Sequence, residues 1–294
     1  MLLLTDGTVM CHELDSNIWH RFTADGSGNF VNGTWSSLQP MKDNSAIPVN
    51  KGGPTFAPLY FASAVLRDGR VFVAGGEYNT GIKDSDLVAT EIFDPVSNSW
   101  TIVNPPAGWT AIGDGQSCVL PDGRVIIGSL DSNETAIFDP VTGTWSAAAT
   151  KNNENSNEEG WTLMPNQTIV TADCHGHPQT ERFLISSNKW VIIGDTPVDL
   201  VEDASLEIGP AVLLPDGLLF AIGATGVTAL YTMPSNSNQR GNWAPGPSFP
   251  SQIAGQTLGA KDAPACLLPN GRVLCVAGPV DGTADNFSGP TYFF

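Results

Sequence analysis

The chain of 294 residues carries 30 Asp and Glu against 13 Lys and Arg, a formal net charge of −17. So acidic a surface repels nucleic acid and anionic membranes, so neither is expected as a partner, and no apolar run approaches bilayer-spanning length. A hydrophobic fraction of 41% suits a globular fold, and the 31 glycines and 22 prolines fall between apolar runs, as in a chain of many short strands.

The first element, "LLLTDGTVMC" (2–11), is two apolar runs folded about Asp6-Gly7. It returns as "SAVLRDGRVFVAGGEYN" (63–79), "CVLPDGRVIIG" (118–128), "TLMPNQTIVTA" (162–172), "AVLLPDGLLFAIG" (211–223) and "ACLLPNGRVLCVAG" (265–278). The turn residues Asp6, Asp68, Asp122, Asn166, Asp216 and Asn270 are separated by 62, 54, 44, 50 and 54 residues. A period near 50 is that of one four-stranded propeller blade. A second half-unit repeats too: "TEIFDPVSNSW" (90–100) and "TAIFDPVTGTW" (135–145) match closely, "ERFLISSNKW" (181–190) more loosely, and further segments end at Trp35 and Trp243. Each unit reads as strand A, an Asp/Asn-Gly turn of two residues, strand B, a loop, strand C, a turn, and a strand D bearing tryptophan. The unit that opens at Asn270 ends without that tryptophan.

The "LPDGRV", "GG", "FDP" and strand-D tryptophan motifs resemble those of the kelch superfamily, including the propeller of galactose-oxidase-like proteins. The resemblance covers nearly the whole chain. It implies an all-β kelch-type propeller of six four-stranded antiparallel blades, seven being the alternative, in a single domain spanning 1–294 whose last blade is incomplete at the C-terminus. It implies no single function, because kelch propellers serve as enzymes, lectin-like binders and protein scaffolds.

In this topology the start of strand A and the loop after strand B share one face, beside the central channel. Eight positions before the turn residue stand Tyr60, Asp114, Glu158, Ile208 and Asp262, with Glu159 and Glu207 one step away. The post-B loops add Glu77, Asp131 and Asp173. Carboxylates crowded in this way repel one another unless protonated or bridged by a cation. Asp114, Glu158, Glu207 and Asp262 therefore form a candidate cation site, and Ca2+ suits an all-oxygen set. Tyr60, Phe61, Tyr78, Trp109 and Trp161 lie near the same mouth, where aromatic faces beside carboxylates suit a sugar. For each tryptophan, plugging a gap between blades is an equal alternative.

The loop "DCHGHPQTE" (173–181) offers His175 and His177 as a second, weaker metal pair with Asp173 nearby; a solvated loop histidine is the commoner situation. Copper-radical oxidases of the galactose-oxidase type need paired tyrosines, two histidines and a crosslinking cysteine. Here the histidines are His12, His20, His175 and His177, with no Tyr-His dipeptide, so that machinery is not carried over. Nor is there a nucleophile-elbow serine, a P-loop or a dinucleotide fingerprint. Five cysteines make no disulfide framework, although a two-residue turn at Asn270-Gly271 would set Cys266 opposite Cys275.

These features favour a propeller that binds a carbohydrate or similar polar ligand at an acidic mouth, with Ca2+ as its only expected cofactor. A carbohydrate-active enzyme using the same carboxylates is the first alternative and a protein-interaction scaffold the second. The acidic, lysine-poor, Asn-, Ser-, Thr- and Trp-rich composition leans towards an extracellular or periplasmic monomer whose signal is not among these residues. Sequons stand at Asn32, Asn133, Asn166 and Asn286.

Overall fold

Apolar strand pairs and positive-φ turns build an all-β chain with two short 3-10 turns, Val49–Lys51 and Ile185–Ser187. The computed structural model describes residues 1–153, 155–236, 239–250, 252–253, 255–280 and 290–294; the sequon asparagine Asn286 lies outside them. Its strands form six four-stranded antiparallel blades, as expected from the repeat. Contacts divide the chain into two compact units, 1–148 and 149–294, each holding three blades.

In the first unit, blade 1 is Leu2–Leu3, Val9–His12, Trp19–Thr23 and Thr34–Ser37, paired in chain order. Blade 2 is Ala62–Val65, Val71–Ala74, Thr90–Asp94 and Ser99–Val103, and blade 3 is Ser117–Val119, Val125–Gly128, Thr135–Asp139 and Thr144–Ala147. In the second unit, blade 4 is Thr162–Leu163, Thr168–Ala172, Gln179–Leu184 and Lys189–Asp195. Blade 5 is Ala211–Leu213, Leu219–Ile222, Thr228–Thr232 and Asn242–Pro245. In blade 6 the long strand Val273–Pro279 pairs with Leu258–Gly259, Ala265–Leu267 and Tyr292–Phe293 in turn.

Strand B of blade 2 shows why these runs are apolar throughout. Val71 and Val73 pack with Met10 and Trp19 of blade 1, whereas Phe72 and Ala74 pack with Val125, Ile127 and Phe138 of blade 3. Alternate side chains thus enter two different cores, and neither face is left for polar residues. The strand-D tryptophans stand directly across from a strand-C aromatic: Phe22–Trp35, Phe93–Trp100, Phe138–Trp145, Phe183–Trp190 and Tyr231–Trp243. Their ring centroids lie 4.7–5.1 Å apart, the offset geometry aromatic pairs favour.

The A–B turns correct one expectation. They are three-residue loops, not two-residue ones. The pairs Leu4/Thr8, Leu66/Arg70, Leu120/Arg124, Met164/Thr168, Leu214/Leu218 and Leu268/Arg272 close them with N–H to O=C bonds of 2.7–2.8 Å. The third loop residue is left-handed in each: Gly7, Gly69, Gly123, Gln167, Gly217 and Gly271. This is a type I turn followed by a bulge, and the Asp or Asn before it accepts the N–H two residues on at Thr8, Arg70, Arg124, Leu218 and Arg272.

The extra loop residue shifts the register in blade 6. Cys266 stands opposite Leu274, and Cys275 opposite Ala265. A one-residue shift exchanges faces, so Cys266 is exposed while Cys275 is 3% exposed, and the proposed pairing does not occur. All five cysteines are free thiols.

Two measurements check this account. Thiol titration of the denatured, unreduced protein should count five, and three would restore the Cys266–Cys275 pair. Gln167 holds φ +59° where its counterparts are glycine. Gln167→Gly should therefore raise the urea midpoint by the equivalent of about 1 kcal/mol, and Gly123→Gln should lower it similarly.

Candidate functional site

Strand A in blades 4, 5 and 6 is preceded by a loop carrying Glu158, Glu207 and Asp262 respectively. Each loop has a left-handed residue at or beside the carboxylate: Glu158 at φ +63°, Leu206 at +61° and Asp262 at +47°. Non-glycine residues in this region carry strain, which the surrounding bonds hold in place. Glu202 N–H donates to the Glu207 carbonyl at 2.9 Å, and Asp262 N–H donates to the Ile208 carbonyl at 3.3 Å. The result brings one carboxylate oxygen from each of Glu158, Glu207 and Asp262 within 4.8 Å of the others. Lys261 Nζ lies 3.6 Å from Glu207 Oε2, a single cation beside three acids. Lost hydration raises the Asp262 carboxyl above its ordinary range, with Lys261 opposing the shift.

The fourth expected carboxylate, Asp114, belongs to the other unit, before strand Ser117–Val119. Glu159, one residue after Glu158, has a different fate. It is buried, with Lys151, Asp173 and Glu181, in a cluster whose charged side chains are at most 1% exposed. Lys151 bonds Glu159 directly, lies 2.9 Å from Asp173 Oδ1 and 3.8 Å from Glu181 Oε2, and donates to the Asn155 carbonyl. Trp161 Nε1 and the Thr171 hydroxyl donate to Glu159, Asn153 to Asp173, and the Asn152 amides to Glu181. One ammonium cannot balance three buried carboxylates. Burial pushes the Glu159 carboxyl up to about 8 despite Lys151, with the Asp173 charge adding to the rise. Glu159 holds its proton more tightly than an exposed carboxyl does, and its place is in the core. Trp161 follows it inward, donating to Glu159 and packing on Trp190 at 5.1 Å. Asp173, anchored to Lys151, is turned away from the histidines expected beside it.

Those histidines also separate. His175 is exposed, with Asn157 Nδ2 at 3.5 Å from its Nε2. His177 has Asp199 3.2 Å from Nδ1 and Asp203 3.5 Å from Nε2. This trio also fits within a 4.8 Å group, without His175. Its two carboxylates face opposite ring nitrogens. His12 Nε2–H donates to the Ser16 carbonyl at 2.7 Å and the ring packs on Trp19 and Phe61, and His20 pairs with Glu13. The four imidazoles thus have separate surroundings, His12 and His20 in blade 1 and His175 and His177 in the segment 173–181.

In the first unit, the end of the hairpin at 63–79 is structural at Asn79 and half-buried around it. Gly75 and Gly76 hold φ +80° and +134°, and a Cβ on either would come within 2.6 Å of Ile112 or Pro58. The chain then forms a two-residue ladder, Tyr78–Asn79 with Pro58–Leu59. Asn79 is fully buried, accepting from Ala57 N–H at 2.8 Å and donating to the carbonyls of Lys51 at 2.7 Å and Thr55 at 3.0 Å. Tyr60 stacks edge-on against Tyr78 at 5.3 Å, with Lys83 above the Tyr78 ring. Glu77 uses its carbonyl to hold the N–H groups of Ser85 and Asp86. Trp109 is half-buried and lines a cavity of its own, in the first unit.

Residues 58–107 match the Kelch motif. No curated protein matches the chain. Among solved structures, the chain is similar to one titled a novel fungal alcohol oxidase of the AA5 family in complex with copper, at 14% identity and a TM-score of 0.66. The alignment covers 95% of this chain and 57% of that one. At such identity the likeness concerns the fold.

The buried cluster sets a pH dependence. Glu159 binds its proton more tightly folded, near 8, than unfolded, near 4.5. Its contribution is complete below about 4.5 and is lost as pH rises through about 8. Glu91, buried in strand Thr90–Asp94 with its carboxyl at about 7, acts in the same sense. The melting temperature should fall between pH 5 and pH 9, and Glu159→Gln should flatten that fall. Lys151→Met leaves buried acids without their cation and should cost about 3–5 kcal/mol, read from denaturant melts at neutral pH.

Proposed function

Since the chain is a kelch-repeat β-propeller, we propose that it works as a binding module, taking a carbohydrate or similar polyhydroxyl ligand at Glu158, Glu207 and Asp262 with a divalent cation. The observation that carries this reading is the convergence of three carboxylates from equivalent positions in successive blades. The donor set is all oxygen, which suits a hard cation such as Ca2+. A bound cation would relieve the repulsion that a single lysine offsets only in part, and its open coordination positions would accept sugar hydroxyls. Asp114 belongs to the first unit, and the reading rests on the trio of the second unit alone. The acidic, lysine-poor composition supports an extracellular or periplasmic site of action.

The test is calorimetric titration of CaCl2 into chelator-treated protein, followed by neutral and acidic mono- and oligosaccharides in calcium and in chelator. Calcium should bind saturably and raise the melting temperature as concentration increases. Glu158→Gln and Asp262→Asn should each weaken calcium binding about tenfold or more, a loss of at least about 1.4 kcal/mol. A flat calcium titration, with sugars binding neither in calcium nor in chelator, would refute the reading.

A further inference from the structure

A cavity of about 290 Å3 opens in the first unit, far in sequence from the carboxylate trio. Its walls come from three connections: the segment entering blade 2, the loop before strand Thr90–Asp94, and the link from blade 2 to blade 3. Ile47, Pro48, Leu87 and Trp109 make most of it apolar, and it holds two charged side chains, Lys51 and Asp86.

The charges are placed unusually. Lys51 is close enough to draw the Asp86 carboxyl down, against burial and the nearby acids Asp84 and Asp131, which raise it. Yet among the described residues no ion pair within 4.0 Å joins Lys51 and Asp86. Opposite charges that line one cavity without touching leave both heads open to a ligand. The backbone that carries each of them is fixed. The Lys51 carbonyl is held by buried Asn79, and Lys51 N–H donates to the Pro48 carbonyl at 2.9 Å. Asp86 is held at φ +43° by its N–H bond to the Glu77 carbonyl at 3.0 Å. A carboxylate fixed in a left-handed conformation at a cavity wall fits a preorganised ligand group. The Gly-Gly-Glu-Tyr-Asn stretch that ends the second hairpin is thus the scaffold of both charges.

We propose that this cavity binds a small zwitterion, an α-amino acid with an apolar side chain. Its carboxylate meets Lys51, its ammonium meets Asp86, and its side chain lies against Trp109, Ile47 and Leu87. A ligand with opposite charges at one end and an apolar body at the other satisfies both protein charges at once and fills the apolar remainder. The volume admits a side chain as large as phenylalanine.

L-phenylalanine is the probe, measured by calorimetry and by tryptophan fluorescence. It should bind saturably. Phenylacetate, lacking the ammonium, and phenethylamine, lacking the carboxylate, should each bind about tenfold or more weakly. Lys51→Met and Asp86→Asn should lose affinity to a similar extent; asparagine tolerates the left-handed backbone, so the second variant keeps its fold. Glu158→Gln should leave phenylalanine binding unchanged, which separates this cavity from the carboxylate trio. The inference is overturned if wild type shows no saturable binding up to about 10 mM, if a single-charge analogue binds as tightly, or if both charge variants with wild-type melts retain full affinity.

Discussion

A blade has neighbours on both faces, and that constraint governs the rest of the molecule. Val71 and Val73 face one core while Phe72 and Ala74 face another. In blade 5, Leu219 and Tyr231 pack towards blade 4, and Ile222 packs towards Ala260 and Cys275 of blade 6. With both sides of a sheet committed to apolar contact, a polar side chain is tolerated in a strand only where bonds satisfy it. Chemistry is therefore displaced to the strand ends, where the loops before strand A and after strand B emerge.

The Lys151 cluster is the exception that shows the cost of departing from this rule. Glu181 sits within a strand of blade 4, and its carboxylate is kept by two amides of Asn152 and by the Lys151 ammonium. Lys151, Asn152 and Asn153 come from one short segment and reach three different acids. The connection leading into blade 4 is thereby fastened to strands of that blade by charge. With one cation serving three acids, burial and the Asp173 charge favour the protonated form of Glu159. Stability is then tied to pH through a group that takes no part in the proposed binding.

The two candidate binding places differ in kind. The trio of Glu158, Glu207 and Asp262 arises by repetition: the loop before strand A, in three successive blades, delivers the same functional group, with Glu207 one residue out of step. The Lys51–Asp86 cavity arises from irregularity, since the long connection of residues 44–57 and the Asn79 clamp have no counterpart in the other blades. Repetition produces a multidentate oxygen site, and irregularity produces a shaped pocket with opposite charges.

The amino-acid sequence by itself determined the repeat, the number of blades, the left-handed turn position and the strand-D tryptophans. These depend on local rules: period-2 apolar runs, residues that tolerate positive φ, and aromatic pairs in adjacent strands. It also marked the loop positions of Glu158, Glu207 and Asp262, because equivalent places in a repeat converge in space. Tertiary structure alone decided what a one-residue difference means. The bulged turn moved Cys266 and Cys275 to opposite faces. Neighbouring Glu158 and Glu159 went to a ligand-like trio and a buried ion cluster. Asn79, at the end of the second hairpin, became an internal clamp, and Asp173 took Lys151 as its partner. Such outcomes depend on which groups a side chain can reach once the chain is packed, and charge pairing with Lys151 is a long-range choice that spacing does not encode.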